Sequence, residues 1–378
     1  MPVKIPCLIA RRSVLLLLVA FGFFVLLPFW QNANNNIHQT DTDSSLGLGV
    51  ADAIYVISLP ARHDRRKDME KIRLSLNLSW TYVDALPSAN PLVGIMMQWI
   101  TLVRNRPPYL TRSDDSPSPD KTSFSWPEDA ETMNELDFWN VDPWPSLFGV
   151  PISSSLQPLA SATQDFTIAS NASKLPEHLI LTPSRVACWY SHLCVIQKIA
   201  NSGDSVSIIL EDDIDMERDI HAHLQNIWPN LPLDWDIVFL GGNSPACPRP
   251  GAYHRYLGHC WSNESLHPPL TPAEHHYASI HKSVSPKCTH AYALSRKGAR
   301  RLLVHLRYPP FAFSRAIDQA IAWLVESGRL KSYSVVPSLV VQRKVSTSDV
   351  MVGKGTGSKW KDRLTNGILQ DLETSESS

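Results

Sequence analysis

Apolar residues along the chain form two patterns, short continuous runs typical of buried strands and spaced stripes typical of helices. The runs predict strands at 54–59, 80–83, 206–210, 235–240, 291–294 and 333–336, and the stripes predict helices at 61–76, 92–104, 187–200, 219–228, 296–306 and 315–327. The series opens with a strand–helix–strand unit, whose crossover joins parallel strands. We therefore expect an α/β fold, a single Rossmann-like, mainly parallel sheet flanked by helices.

Composition divides the chain around this pattern. Residues 31–50 are rich in Asn, Asp, Ser and Gly and predict a flexible stem. The α/β domain is expected over 51–345, interrupted at 86–176 by an irregular insertion that holds most of the prolines and many tryptophans. We interpret 245–286 as a Pro/His/Ser-rich loop and 346–378 as a disordered tail.

The N-terminus predicts a membrane anchor. Residues 13–30 are uncharged and largely apolar, which is about the minimum length for a transmembrane helix. Lys and Arg occur within residues 1–12 and then not until Arg62, so the positive-inside rule places 1–12 in the cytosol and the rest in a lumen. A cleaved signal peptide is the alternative. We expect a single-pass type II protein of the Golgi or endoplasmic reticulum. Asn-x-Ser sequons compatible with a lumenal glycoprotein begin at Asn77, Asn171 and Asn263.

The net charge argues against nucleic-acid binding, and the cysteine count limits disulfide pairing. The 378 residues carry a net charge of −1, so electrostatic binding to nucleic acid is not expected. Cys7 precedes the anchor, which leaves five of the six cysteines in the lumen. An odd number means that at least one is free or pairs between chains. Cys247 and Cys260 flank a Pro/Gly-rich loop and are the first candidates for a disulfide. The sequence does not indicate the oligomeric state.

Acidic residues follow the predicted strand 206–210 directly. Glu211, Asp212 and Asp213 are consecutive, and Asp215 comes one residue later. Adjacent carboxylates repel unless a positive charge lies near them, and ligands of open α/β sheets bind at the carboxyl edge. Divalent cations such as Mg²⁺ take one or two carboxylates together with substrate phosphates. The segment predicts a metal–diphosphate site; the alternative is a solvated acidic turn.

An ordered set of motifs resembles glycosyltransferase family 25, which includes lipooligosaccharide and procollagen galactosyltransferases. The set comprises Ile57-Ser58-Leu59 with Arg65, Val83-Asp84-Ala85, Leu181-Thr182, Cys188, Ser191-His192, the segment Ile-Leu-Glu-Asp-Asp ending at Asp213, Trp-Asp-Ile-Val-Phe-Leu-Gly from Trp235, Ala291-Tyr-Ala-Leu-Ser-Arg-Lys-Gly, Asp318, and Tyr333 with Pro337. The resemblance covers 53–342 apart from the insertion.

This resemblance implies a GT-A fold, a UDP-sugar donor with galactose as the sugar, Mn²⁺ or Mg²⁺, and inversion at the anomeric carbon. The family's Glu-Asp-Asp matches Glu211, Asp212 and Asp213. Asp213 is the expected metal ligand, and Glu211 or Asp212 is expected to contact ribose or an ordered water. Asp215 forms an Asp-x-Asp with Asp213 and is the alternative ligand. A cation at this place stabilises the charge that develops on the UDP leaving group.

Three more residues receive roles from the resemblance. Asp318 is the candidate general base for the acceptor hydroxyl, or else an acid that interacts with its helix dipole. Arg65 is expected near the nucleotide phosphates, or else as a solvated charge. His192 is expected to contact the donor site, or else to be a buried structural histidine. His290 is a further candidate metal ligand.

The predicted function is metal-dependent transfer of a hexose, galactose in the known relatives, from a UDP-sugar to a lumenal glycan or glycoprotein. One alternative is a catalytically inactive lumenal binding or scaffold protein of the same fold, and another is a secreted hydrolase with paired acids. Arg185 replaces a usual acid and Ala187 a usual glycine, and the insertion 86–176 is unusually long. Insertions between core elements often shape binding sites, so the acceptor stays open.

Overall fold

A computed structural model describes residues 47–104, 126, 180–241, 260–266, 278–307, 311–343, 349 and 364–370. The predicted tail 1–12, the predicted anchor 13–30, most of the insertion 86–176 and the proposed Cys247–Cys260 pair lie outside the described residues or side chains. No helix in the described part of the chain is long and apolar enough to cross a membrane.

The helices and strands that the hydropathy pattern predicts are all present in the described part of the chain. The helices are α1 (His63–Ser75), α2 (Pro91–Arg104), α3 (Pro183–Asn201), α4 (Ile220–Ile227), α5 (Arg296–Arg307) and α6 (Ile317–Glu326). The strands are β1 (Ala53–Ser58), β2 (Thr81–Asp84), β3 (Val206–Glu211), β4 (Ile214–Met216), β5 (Ile237–Phe239), β6 (Cys260–Ser265), β7 (Ser279–Ser285), β8 (Ala291–Ser295), β9 (Ser332–Val336) and β10 (Val340–Gln342).

Within the described residues, eight strands form one sheet in the order β2-β1-β3-β8-β5-β9-β7-β6. Strands β1, β2 and β3 are parallel neighbours, as are β5 and β9, whereas β8 runs antiparallel between β3 and β5. Only β7 and β8 of these eight oppose the common direction. The predicted mixed α/β architecture with a mostly parallel sheet is confirmed and fits a Rossmann-like fold.

The sheet separates two hydrophobic cores, because successive side chains of a strand point to opposite faces. On β3, Ile209 faces the core that α2, α3, α5 and α6 cover. Its neighbours Ile208 and Leu210 face the other core, which includes Met69 and Ile72 of α1. The burial of these strands on both faces explains why they read as continuous apolar runs rather than alternating ones.

Four strands were not predicted. The region 245–286, interpreted as loop, contains β6 and the antiparallel β7. These strands are rich in polar residues such as His281, whose Nδ1 lies 2.8 Å from the Ser262 carbonyl oxygen, so hydropathy did not reveal them. The short strands β4 and β10 form a separate antiparallel pair beside the end of β3.

The ends of the domain are also more ordered than we expected. Residues 47–50 of the predicted stem enter the fold, and Leu48 is fully buried. Residues 364–370 of the predicted disordered tail pack on the domain and bury Leu364, Ile368 and Leu369. Both segments carry only a few apolar residues among polar ones, which made their composition resemble that of disordered chain.

Candidate active site

The candidate site lies at the edge of the sheet where β3 ends. Because β8 runs antiparallel to β3, its first residues lie beside the last residues of β3, with Leu210 paired to Ala291. The backbone N–H of Glu211 donates to the His290 carbonyl oxygen at 2.8 Å. The strand order therefore adds residues 289–290 to the acidic cluster, although they are almost eighty positions away in sequence.

Glu211 is held by two donors on one oxygen. The Thr289 hydroxyl donates to its Oε1 at 2.7 Å, and Nε2 of the buried His192 lies 3.3 Å from the same oxygen. The other ring nitrogen of His192, Nδ1, lies 2.9 Å from the Tyr292 hydroxyl. Burial alone would raise the pKa of Glu211, but His192 and Thr289 outweigh it and lower this pKa to about 2. Glu211 is therefore a carboxylate at neutral pH.

Arg65 supplies the positive charge beside the cluster. It lies in the first turn of α1, directly after β1, and its Nη1 is 2.8 Å from Asp212 Oδ1 and 3.5 Å from Asp213 Oδ2. All three side chains are nearly buried, with 7–11% exposure. Asp349, from the C-terminal part of the chain, forms ion pairs with Arg62 and with Arg65. At this end of the site, two arginines therefore pair with carboxylates of the protein itself.

Asp213 stays crowded by negative charge in spite of Arg65. Burial and the charge of Glu211 raise its pKa to about 7, against the opposing effects of Arg65 and a hydrogen bond from Gln342. The Gln342 amide Nε2 lies 3.1 and 3.3 Å from the two carboxylate oxygens of Asp213. A bound cation would relieve this excess of negative charge. The oxygen donors of the cluster fit a hard ion such as Mn²⁺ or Mg²⁺.

Among the described residues, no group of three or more His, Cys, Asp or Glu side chains is arranged to hold an ion. Mg²⁺-like ions are commonly held by one or two carboxylates, with the remaining ligands from phosphates and water.

Asp215, the alternative metal ligand, lies elsewhere. It is 1% exposed, and its carboxylate accepts the backbone N–H groups of Met216, Leu369 and Gln370 at 2.8–3.2 Å. Glu217 accepts N–H groups of the same C-terminal segment in a similar way. Both acids thus hold the segment 364–370, and the structure does not bring Asp215 to the acidic cluster. This placement differs from the metal role that we expected for it.

Asp318 lies near the acidic cluster, close enough for the charge of Glu211 to act on it. It lies in the first turn of α6, and its Oδ1 accepts the backbone N–H of Gln319 at 2.9 Å. Burial and the charge of Glu211 raise the pKa of Asp318, although Gln319 opposes them. The thiol pKa of Cys188 is raised well above its usual value by burial and by the charges of Glu211, Asp318 and Asp213. Cys188 is therefore near both the cluster and Asp318, and its thiol is unreactive.

His290, a further candidate metal ligand, is instead packed under the site. It is 1% exposed, and its Nε2 lies 3.3 Å from the Val340 carbonyl oxygen. A Cβ on Gly241 would lie 2.3 Å from the same nitrogen and 2.2 Å from the Val340 oxygen, so only glycine fits there. The glycine that ends the Trp235 motif therefore allows β5, β8 and β10 to converge at this edge.

Sequence reasoning missed Thr289, Tyr292 and Gln342. Tyr292 lies within the family motif on β8, and Thr289 lies two residues before that strand, so the motif gave a weak signal for both. No signal indicated Gln342, because β10 was not recognised as a strand. Each is brought to the cluster by strand pairing, which residue spacing does not reveal.

Comparison with known proteins shows which family this part of the chain is similar to. Residues 152–320 match the family model described as glycosyltransferase family 25 (LPS biosynthesis protein). This match spans α3, β3 with its acidic cluster, β8 and the start of α6. The predicted resemblance to this family is confirmed over these residues.

Two curated relatives have more particular names. The chain is 24% identical over 156 residues to procollagen galactosyltransferase 1 of Danio rerio, covering 40% of this chain and 22% of the relative. It is 24% identical over 205 residues to procollagen galactosyltransferase 1-B of Xenopus laevis, covering 52% of this chain and 28% of the relative. The chain thus spans about a quarter of the length of these relatives.

Proposed function

We propose that the protein is a metal-dependent, inverting glycosyltransferase of the GT-A type that moves a hexose, specifically galactose, from a UDP-sugar to a lumenal glycan or glycoprotein. One observation carries the proposal. Arg65 pairs with Asp212 and Asp213 beside Glu211 at the carboxyl edge of the sheet, and Asp318 lies near enough for the charge of Glu211 to act on it. The names of the two relatives support galactose as the sugar.

In this proposal, Asp213 holds a Mn²⁺ or Mg²⁺ ion, and Arg65 lies near the diphosphate. The cation, when bound, stabilises the negative charge of the departing UDP. Arg65 currently pairs with Asp212 and Asp213, and a bidentate guanidinium also suits phosphate oxygens. Glu211, anionic at neutral pH, is available to accept a hydrogen bond from a hydroxyl group of the nucleotide sugar.

Asp318 takes the role of general base. The acceptor hydroxyl oxygen forms a bond to the anomeric carbon while the bond from that carbon to UDP breaks, and UDP leaves with the electron pair. The hydroxyl proton moves to the Asp318 carboxylate. Its raised pKa makes Asp318 a better proton acceptor than an ordinary aspartate, and its nearness to Glu211 supports this role.

A donor panel tests this function. UDP-galactose, UDP-glucose and UDP-N-acetylglucosamine are incubated with the full-length protein and Mn²⁺, and released UDP is measured. We expect release from UDP-galactose, abolished by a chelator and restored by Mn²⁺. Release that is independent of the metal, or that occurs only with another donor, would contradict the proposal for the metal or for the sugar.

A second candidate is a catalytically inactive binding or scaffold protein. The observation that favours it is the internal pairing of the cluster, because Arg65 and Gln342 already bind the acids that would hold a metal. Titration calorimetry separates the two candidates. If UDP-galactose with Mn²⁺ does not bind at millimolar concentration while the protein is folded, the scaffold function is supported.

The cellular location is proposed from the sequence pattern alone. The apolar stretch 13–30, with its preceding basic residues, supports a single-pass type II protein of the Golgi or endoplasmic reticulum. Protease protection in sealed microsomes, with an epitope at each end of the chain, tests this topology. A protected C-terminus and an accessible N-terminus are expected, and the reverse pattern would refute the topology.

A further inference from the structure

The two hydrogen bonds of Glu211 converge on a single oxygen. Thr289 Oγ1 and His192 Nε2 both contact Oε1, at 2.7 and 3.3 Å. Among the described residues, the other oxygen, Oε2, has no such contact. The side chain retains 24% exposure, which leaves room for a further hydrogen bond. Glu211 is thus fixed at one oxygen and open at the other.

Tyr292 fixes the direction of the histidine bond. The carboxylate of Glu211 only accepts hydrogen bonds, so His192 Nε2 must carry the proton that it donates. In the tautomer that carries only this proton, Nδ1 is bare and accepts from the Tyr292 hydroxyl at 2.9 Å. Burial raises the pKa of Tyr292 well above its usual value, so this hydroxyl keeps its proton. In this tautomer the hydrogen bonds run in one direction, from Tyr292 to His192 and from His192 to Glu211.

His192 and Tyr292 both come from rigid elements. His192 lies in the middle of α3, and Tyr292 is the second residue of the fully buried part of β8. The two rings stack with their centroids 5.9 Å apart. Thr289 lies outside the strand, two residues before β8. Groups held by a helix or a strand, as His192 and Tyr292 are, orient a functional side chain more accurately than a loop would.

We propose that Thr289 and Tyr292 are positioning residues for substrate binding. Thr289 directly, and Tyr292 through His192, hold Oε1 of Glu211 so that Oε2 accepts a hydrogen bond from a hydroxyl group of the bound sugar nucleotide. This inference rests on the proposed function for the identity of the ligand. It assigns Glu211 to the nucleotide sugar and leaves the cation to Asp213.

Matched variants test the hydrogen bond from Thr289 to Glu211. Thr289→Val removes the hydroxyl at nearly constant shape, and Thr289→Ser keeps it. We expect Thr289→Val to raise the KM for UDP-galactose and the Kd for UDP roughly tenfold, with a smaller change in kcat, because a hydrogen bond to a charged group is lost. Thr289→Ser is expected to stay within about twofold of the parent protein. Thr101→Val, which removes a hydroxyl bonded to the Met97 carbonyl in α2, serves as control.

The hydrogen bonds from Tyr292 through His192 to Glu211 have a readout that is independent of catalysis. In ¹⁵N spectra of histidine side chains recorded without metal or donor, the parent protein is expected to show His192 as the Nε2–H tautomer. Tyr292→Phe is expected to shift the Nδ1 resonance and to raise the Kd for UDP severalfold. Tyr55→Phe, on β1, is the matched control.

The outcomes separate this inference from the proposed function. If the parent protein does not bind UDP-galactose but shows the Nε2–H tautomer and its dependence on Tyr292, the hydrogen bonds from Tyr292 through His192 to Glu211 are confirmed and the substrate assignment is wrong. An Nδ1–H tautomer in the parent protein would contradict the proposed direction of the hydrogen bonds from Tyr292 to Glu211. A tenfold loss of Mn²⁺ affinity in Thr289→Val, measured without nucleotide, would assign Glu211 to the metal and overturn the positioning role.

Discussion

Replacement of Asp215 tests whether the second acid of the Asp-x-Asp is structural. Its carboxylate accepts the N–H groups of Leu369 and Gln370 from the C-terminal segment 364–370. Asp215→Asn keeps one carbonyl acceptor but turns an NH₂ group toward a backbone N–H. We therefore expect the segment to be held less tightly while the metal site stays intact.

The size of the effect follows from the hydrogen bonds. Leaving a buried donor without its acceptor costs about 1–3 kcal/mol. Burial raises the pKa of Asp215, so the charged carboxylate is itself penalised in the fold and the neutral amide regains part of this cost. We expect a net loss of about 1–2 kcal/mol, which corresponds to roughly 5- to 30-fold faster opening of the segment.

Hydrogen exchange of the amides in 364–370 measures this opening directly. Exchange there should accelerate by that factor in Asp215→Asn, while the Mn²⁺ dependence of UDP release is unchanged. Asp219→Asn is the control, since that acid is 60% exposed and its ion pair among the described residues is with His223. If Asp215→Asn abolishes metal-dependent activity and leaves exchange unaltered, the structural assignment of Asp215 is refuted.

Three further predictions concern Asp318, Arg65 and His305. Asp318→Asn should lower kcat by roughly 100-fold or more with little change in the Kd for UDP, because only proton transfer is lost; an unchanged kcat would exclude it as the base. Arg65→Lys should weaken UDP binding severalfold in calorimetry, since lysine cannot bridge two anionic partners bidentately; equal affinity would remove Arg65 from the site. Burial lowers the pKa of His305 from 6.5 to about 3. The contribution of His305 to the free energy of unfolding is therefore fully present above pH 6.5 and falls by up to about 4–5 kcal/mol as the pH drops toward 3. Denaturant unfolding of His305→Leu should show a smaller loss of stability in acid than that of the parent protein. Identical dependence of stability on pH in the two proteins would contradict this.

The sequence was most informative where strands are buried on both faces. Residues 206–210 form an apolar run followed by acids, so both β3 and the acidic cluster could be predicted. The first strand–helix–strand unit was equally clear, and it placed Arg65 at the start of α1, where the structure shows it beside Asp212. In these places local pattern and tertiary structure agree, because the core element and the charged edge are contiguous in the chain.

The sequence was less informative where partners come from distant segments. Thr289 reaches Glu211 only because β8 is inserted antiparallel beside β3, and strand order cannot be deduced from spacing. Asp215 is two residues from Asp213, yet β4 and the segment 364–370 turn its carboxylate to another use. Polar strands such as β7 were missed because their stability comes from pairing and hydrogen bonds rather than from an apolar run.

The central claim is that Asp213 holds the cation for UDP-sugar chemistry. Its most direct test is UDP release from UDP-galactose as a function of Mn²⁺ concentration for the parent protein, Asp213→Asn and the control Asp219→Asn. The parent and the control are expected to show the same saturable metal dependence, and Asp213→Asn is expected to lose roughly 100-fold or more in kcat/KM. Metal-dependent release by Asp213→Asn at the parent rate would contradict the claim.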